Sequence, residues 1–299
     1  MKTQSNYICC FGEMLWDLLP TGKMPGGAPM NVALHLKNIC VDVAFISRVG
    51  TDALGDEIKN FVSQKNCSIK WIQSDSKYLT GIVNANVSNR NDVSYEIVHP
   101  AAWDFITVTP EILEVAKNAH AFVYGTLSCR SEQTRETLLN LLEDTKALKI
   151  YDVNLRPPHY SKELILLLLQ KAEIVKLNKD ELLIVSAWLG PEELSIQSKL
   201  ENLKTKFDLQ KVIVTLGGEG ALLLDDSGFR SSKVYKVEVK DTIGSGDAFL
   251  AGAIKNILLQ KPAQETLEYA CALGALVAQH HGANPPILES EIFDLINKS

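Results

Sequence analysis

Asp241-Thr242-Ile243-Gly244-Ser245-Gly246-Asp247, running into Ala248-Phe249-Leu250-Ala251-Gly252-Ala253-Ile254, is the most telling stretch of this chain. Its second half is small and apolar, a pattern suited to a tightly packed helix. Two glycines and a serine ahead of a helix leave several backbone N–H groups pointing outward. With the positive end of the helix dipole, these form an anion site. Asp247 falls at the helix start, beside that anion, and Asp241 supplies a second acid just upstream. A carboxylate next to an anion hole can take a proton from a hydroxyl while the amides hold the charge of a transferring phosphoryl group. A capped helix after a glycine turn would explain Gly-x-Gly-Asp alone; the paired acid and the small-residue helix face point to chemistry. No Gly-Lys-Ser/Thr follows the glycines, so this is not a Walker A loop, and the dinucleotide fingerprint is missing after the first strand.

Working outward, short β-branched runs alternate with helical patterns along most of the chain. Strands are expected at Tyr7–Phe11, Val43–Val49, Ala121–Tyr124, Ile150–Val153, Glu173–Leu177, Val212–Leu216 and Ala221–Leu224. Helices are expected at Asn31–Ile39, Asp56–Lys65, Ser131–Lys146, Lys162–Gln170 and Glu192–Lys206, and Thr109-Pro110-Glu111 reads as a helix start. Such alternation implies an α/β fold with a mostly parallel sheet covered on both faces. One region departs from it: Gly81–Ser88 and Ser94–Val98 read as two β segments joined by Asn89-Arg90-Asn91-Asp92. This is an antiparallel excursion, either a sheet extension or a small separate lid.

The 299 residues carry 30 basic and 36 acidic side chains, a net charge of −6, with 46% hydrophobic and 22% charged residues. That composition excludes a mainly disordered, collagenous or coiled-coil chain, and the scattered lysines and arginines form no stripe for nucleic acid. The longest aliphatic run, Leu164–Leu169, is far too short to span a membrane. Met1–Tyr7 is polar and runs straight into Ile8–Phe11, so no secretory signal is expected. Six cysteines without Cys-x-x-Cys spacing suggest reduced thiols in a cytoplasmic protein. Adjacent His280 and His281 do not make a metal pair.

Two motifs at opposite ends carry a resemblance. The first is Gly26-Gly27-Ala28-Pro29-Met30-Asn31-Val32-Ala33, preceded by Phe11-Gly12-Glu13 and Asp17-Leu18-Leu19-Pro20; the second is Asp241–Asp247 with its helix. In order and spacing the chain resembles the ribokinase-like carbohydrate kinases of the phosphofructokinase-B type, and within them the fructokinases. The resemblance spans nearly the whole chain. It implies a ribokinase-like three-layer α/β/α domain over 1–299, with a β-lid from about 14–28 and 71–103. It also implies an ATP-dependent kinase acting on the primary hydroxyl of a free sugar, D-fructose first. Alternatives are ribokinase, 2-keto-3-deoxygluconate kinase or nucleoside kinase activity, and a catalytically silent sugar-binding relative. Cys40 departs from the family's usual Gly or Ser, and Ser245 from its commoner Ala.

Carried over residue by residue, the general base falls on Asp247 and the anion-hole donors on Gly244, Ser245 and Gly246. Sugar hydroxyls would be held by Asp17, Gly26, Gly27 and Asn31. Arg156, in the Asp152-Val153-Asn154-Leu155-Arg156 element, would contact sugar or γ-phosphate. Asn178 and Glu181 match an Asn-x-x-Glu element that places Mg²⁺ and phosphates through water, although helix capping explains the same spacing. Thr215, Gly217, Gly218 and Gly220 would line ATP. A monovalent cation, K⁺ by resemblance, would use Asp241, the Ile243 carbonyl and backbone oxygens near Gly282. Trp103 and Phe105 either wall the pocket or belong to the core. A homodimer through the lid is the remaining expectation, with no nucleic-acid or membrane partner.

Overall fold

The computed structural model describes residues 7–20, 22–87, 93–191 and 194–298. In chain order it contains β1 (Tyr7–Phe11), β2 (Leu15–Leu19), β3 (Gly22–Gly26), α1 (Ala28–Asn38), β4 (Asp42–Gly50), α2 (Ala53–Gln64) and β5 (Ile72–Asp75). These are followed by β6 (Gly81–Val87), β7 (Val93–Ile97), α3 (Pro110–Lys117), β8 (Ala121–Gly125), α4 (Glu132–Asp144), β9 (Leu148–Asp152), α5 (Lys162–Lys171) and β10 (Ile174–Asn178). The last third holds α6 (Lys179–Ala187), α7 (Ile196–Phe207), β11 (Lys211–Thr215), β12 (Ala221–Asp225), β13 (Gly228–Ser231), α8 (Ser245–Leu258), α9 (Ala263–Ala278) and α10 (Glu289–Lys298).

Nine strands form one sheet in the order β13-β12-β11-β10-β9-β8-β1-β4-β5. It is parallel from β5 to β11, with β12 and β13 antiparallel at one edge. Alternate side chains of each strand enter two different cores. Cys9, Phe11, Phe122, Tyr151 and Val175 pack with α3 to α7, whereas Ile8, Cys10, Val123, Ile150 and Ile174 pack with α1, α2, α8 and α9. A sheet buried on both faces needs apolar residues at both parities, which is why these strands read as continuous runs. The expected three layers are therefore present.

The four strands β3-β2-β6-β7 form a second, small sheet. Its outer pairs are antiparallel, but β2 and β6 run parallel, so two separate excursions of the chain meet there. Two details differ from the expected lid boundaries. Residues 72–75 form β5 on the large sheet, and Trp103 is wholly buried against Ala101 and Leu127. Trp103 is thus core, not pocket wall, while Phe105 stacks on Tyr78 with ring centroids 3.7 Å apart. The turn expected at Asn89–Asp92 lies outside the described residues, as does the 192–193 start expected for the helix that begins at Ile196.

Arg130 locks the end of the small sheet to the body. Its Nε and Nη2 donate to the two carboxylate oxygens of Asp104 at 2.8 Å each, and its remaining N–H groups reach the Ile97 and Val98 carbonyls. The guanidinium lies 3.9 Å above the Trp103 ring. Asp104 is fully buried and Arg130 nearly so. Truncating one member of a buried pair strands the other charge, so Arg130→Ala is expected to cost about 3–5 kcal/mol, read as a fall in urea midpoint. Cys40 sits just past α1 at φ +63°, a left-handed position that suits the glycine of the expected Gly or Ser better than a cysteine. Cys40 is exposed, so the departure is felt in the backbone conformation.

Candidate active site

The carboxyl ends of β1, β8, β9, β10 and β11 face one edge of the large sheet. Strand order reverses between β1 and β8, and an open α/β sheet holds its ligands at such a point. Gly244, in the left-handed region at φ +77°, turns the chain into α8 with no side-chain cap. Ser245 N–H donates to the Thr242 carbonyl at 3.2 Å. One expected anion-hole donor is therefore already engaged within the turn. The amides of Gly244, Gly246 and Asp247 find no acceptor among the described residues. Three donors remain, with Asp247 in place of Ser245. The small residues of α8 let it pack closely on α9: a Cβ on Gly252 would stand 3.1 Å from the Ala270 Cα.

Asp247 is held by a chain of amides. Asn31 Nδ2 donates to Asp247 Oδ2 at 2.8 Å, and Asn284 Nδ2 donates to Asn31 Oδ1 at 2.8 Å. Asn31, expected to grip the sugar, thus orients the carboxylate. Burial and the nearby Asp152 charge push the Asp247 pKa up to about 7, against the Asn31 hydrogen bond and the charges of Lys176 and Arg156. Asp17, on β2, is pushed up to about 6 by burial, again opposed by Arg156. The Arg156 charge therefore favours the ionised form of both acids. Gly26 lies against the Asp17 carboxylate. At Gly27, with φ +112°, a Cβ would meet the Glu13 carbonyl at 2.5 Å, so only glycine fits.

On the far side of the anion turn lies a cavity of about 520 Å³. Thr215, Gly217, Gly218 and Gly220 line it from the β11–β12 connection, and Ser245 and Gly246 from the head of α8. Gly217 and Gly220 have φ of +59° and +91°, which gives this turn its left-handed corners. Asp241 ties the turn to the C-terminal segment: Oδ1 accepts the Ile243 N–H at 3.0 Å and Oδ2 the Gly282 N–H at 3.1 Å. The three residues expected around a monovalent cation are therefore adjacent.

Asn178 and Glu181 form a reciprocal cap on α6. Asn178 Oδ1 accepts the Glu181 N–H and Glu181 Oε2 accepts the Asn178 N–H, both at 2.8 Å. Glu181 Oε1 also accepts the Leu155 N–H at 2.9 Å. Both oxygens of this buried carboxylate are thus engaged by backbone amides. Such a group fits a magnesium ion held through water and does not fit a direct multidentate ligand. Among the described residues no group of three or more His, Cys, Asp or Glu is arranged as a metal cluster. His280 and His281 lie beyond the end of α9.

Sequence reading missed Lys176, whose Nζ is 3.0 Å from Asp152 Oδ1 beneath the head of α8. It also missed Asn284 and His35, whose Nε2 meets the Ala283 carbonyl at 2.8 Å. No local signal marks pairs so far apart in sequence, although a lysine inside the apolar run Ile174-Val175-Lys176-Leu177 was itself a cue.

Residues 6–290 match the pfkB family carbohydrate kinases. The chain is 31% identical to probable fructokinase-4 of Arabidopsis thaliana, over 98% of this chain and 97% of that protein. Its fold matches the ATP-bound fructokinase of Xylella fastidiosa with a TM-score of 0.85 at 22% identity, covering 98% of each chain. It matches the Vibrio cholerae fructokinase bound to fructose, ADP and calcium with a TM-score of 0.83 at 21% identity, over 98% and 99% of the two chains. That match over residues 6–290, with 31% identity across almost the whole length of a plant relative, places this chain in the pfkB family of carbohydrate kinases.

Proposed function

We propose that the protein transfers the γ-phosphoryl group of ATP to the primary hydroxyl of D-fructose. The observation carrying this reading is the junction of Asp247, three free amides at the head of α8, and the glycine-lined cavity beyond them. Fructokinase relatives of matching length support the choice of sugar. The sugar would lie between Asp17, Gly26, Gly27 and Arg156, with Asn31 fixing the base and offering its remaining lone pair. ATP would occupy the cavity, its phosphates toward Gly244 and Gly246 and its remainder along Thr215, Gly217, Gly218 and Gly220. Asp247 takes the proton of the sugar hydroxyl as that oxygen attacks the γ-phosphorus. The bond from phosphorus to the bridging oxygen breaks, ADP departs, and Asp247 returns its proton to solvent. Amides aimed at the phosphoryl oxygens stabilise the charge of the transition state without reorganising.

Glu181 would hold Mg²⁺ through water, and Asp241, Ile243 and Gly282 would surround K⁺; each ion supplies fixed positive charge beside the phosphates when bound. The small sheet would act as a lid, excluding water that otherwise hydrolyses ATP. We extend the reading to a homodimer through that sheet, where Met24 and Tyr95 are exposed, and to the cytoplasm. No helix among the described residues is long and apolar enough to cross a membrane.

An ADP-release assay over fructose, tagatose, ribose, 2-keto-3-deoxygluconate, adenosine and fructose phosphates, with and without K⁺, tests the substrate. Fructose is expected to give the highest kcat/KM, with K⁺ raising the rate. Turnover of ribose or adenosine without fructose would overturn the sugar assignment.

A further inference from the structure

We propose that Lys176 is a positioning residue, a buried ammonium under the head of α8 whose charge, balanced against Asp152, keeps Asp247 available as a base. The inference rests on the reading of Asp247 as the proton acceptor. Lys176 lies on β10 beside Asp152 on β9, in ladder register. Its neighbours Val175 and Leu177 enter the core under α3 to α7, so Lys176 projects to the opposite face, toward α8. Its Nζ is 3.0 Å from Asp152 Oδ1, and a Cβ on Gly246 would lie 3.5 Å from the same nitrogen. The ammonium is therefore packed against Gly246, in the first turn of α8 and next to Asp247 in the chain.

A buried lysine is costly unless its charge is matched, and one carboxylate matches it. Here it faces three: Asp152 on β9, Glu181 on α6 and Asp247 on α8. Burial works against its charge, and those three acids together hold it above the ordinary lysine range. Asp152 Oδ2, buried, has no hydrogen-bond partner among the described residues. The pair is thus incompletely satisfied within itself and exerts fields of opposite sign on Asp247. Lys176 favours the ionised base and Asp152 opposes it; Arg156 is the other cation acting on Asp247. Asn31 touches the same carboxylate but carries no charge.

Opposite signs make the proposal separable from a packing role. In Lys176→Met the acid limb of the kcat–pH profile is expected to move up by about one pH unit, and in Asp152→Asn down by about one, from one charge at these distances. Lys176→Met leaves Asp152 buried and unpaired, so Lys176→Met/Asp152→Asn is measured alongside; its acid limb is expected near the parent's. Asp152→Asn keeps a cation in place, and its downward shift is the decisive arm if the single lysine variant does not fold. A loss of thermal stability with limbs that stay fixed, or that move in the same direction, would overturn the proposal. Activity retained by Asp247→Ala would instead overturn the underlying assignment of the base, so the two failures are distinguishable.

Discussion

Asp247→Ala is expected to lower kcat by about 10³-fold, the scale of a lost general base, while sugar affinity stays near the parent's. Asp247 bonds to Asn31 at the head of α8, whereas the proposed sugar contacts Asp17, Gly26 and Gly27 lie on β2, β3 and the turn after it. Isothermal titration with fructose and a rapid-quench measurement of turnover separate the two effects. In the parent enzyme, activity should fall as pH drops below about 7, because the base must be ionised and burial with Asp152 holds its pKa there. The same shift has a stability consequence of defined sign. A carboxyl raised in the folded state binds its proton more tightly there than when unfolded, so its contribution is full below the unfolded value and lost as pH rises through 7. Asp247→Asn should therefore raise the melting temperature at pH 8 more than at pH 5, while turnover collapses. Most of the original activity surviving in Asp247→Ala would refute the mechanism.

Gly244→Ala should produce the second-largest loss. Its φ of +77° disfavours any side chain, and the new Cβ would stand 2.6 Å from both the Cα and the carbonyl oxygen of Ala283. Both are backbone atoms that cannot rotate aside, so the turn must shift away from the C-terminal segment. Displacing amides aimed at the phosphoryl group is expected to cost about 10²-fold in kcat, comparable with loss of one oxyanion-hole donor, and to lower the melting temperature. Gly246→Ala is the informative contrast. Its nearest neighbour would be Lys176 Nζ at 3.5 Å, ordinary contact distance, so the fold should tolerate the change. A Gly244→Ala enzyme with parental turnover would show that the turn does not hold the phosphoryl group.

The elements legible in the sequence were those whose signal is local. β1 was read to the residue, and the strands from β8 to β12 within about two residues, because burial on both faces makes their apolar runs continuous. The Gly-rich turn was legible because its glycines are needed for backbone geometry and not for packing. β2 and β3 were not, since Asp17, Lys23 and Pro25 break any alternation, and four-residue β5 is too short to carry a period. α9 was missed for the opposite reason: past Glu268 its least buried residues are Cys271 and Ala275, so nothing polar marks a face there. In the site, residue types were legible but partners were not. The resemblance puts Asn31 on the sugar, yet its contacts with Asp247 and Asn284 depend on closure of the chain ends.

The parallel ladder between β2 and β6 bears on how specificity in this protein can be re-engineered. Each hairpin of the small sheet is contiguous in the chain, but the sheet is not; α1, β4, α2 and β5 intervene. Grafting either hairpin alone from a relative with another sugar preference would join half a foreign sheet to half a native one. The β2–β6 register, Leu15 with Gly81 through Leu18 with Asn84, would then be set by sequences that never evolved together. A mismatched ladder exposes unpaired edges prone to aggregation. The transplantable unit is both hairpins with Arg130, whose guanidinium anchors the far end to the body.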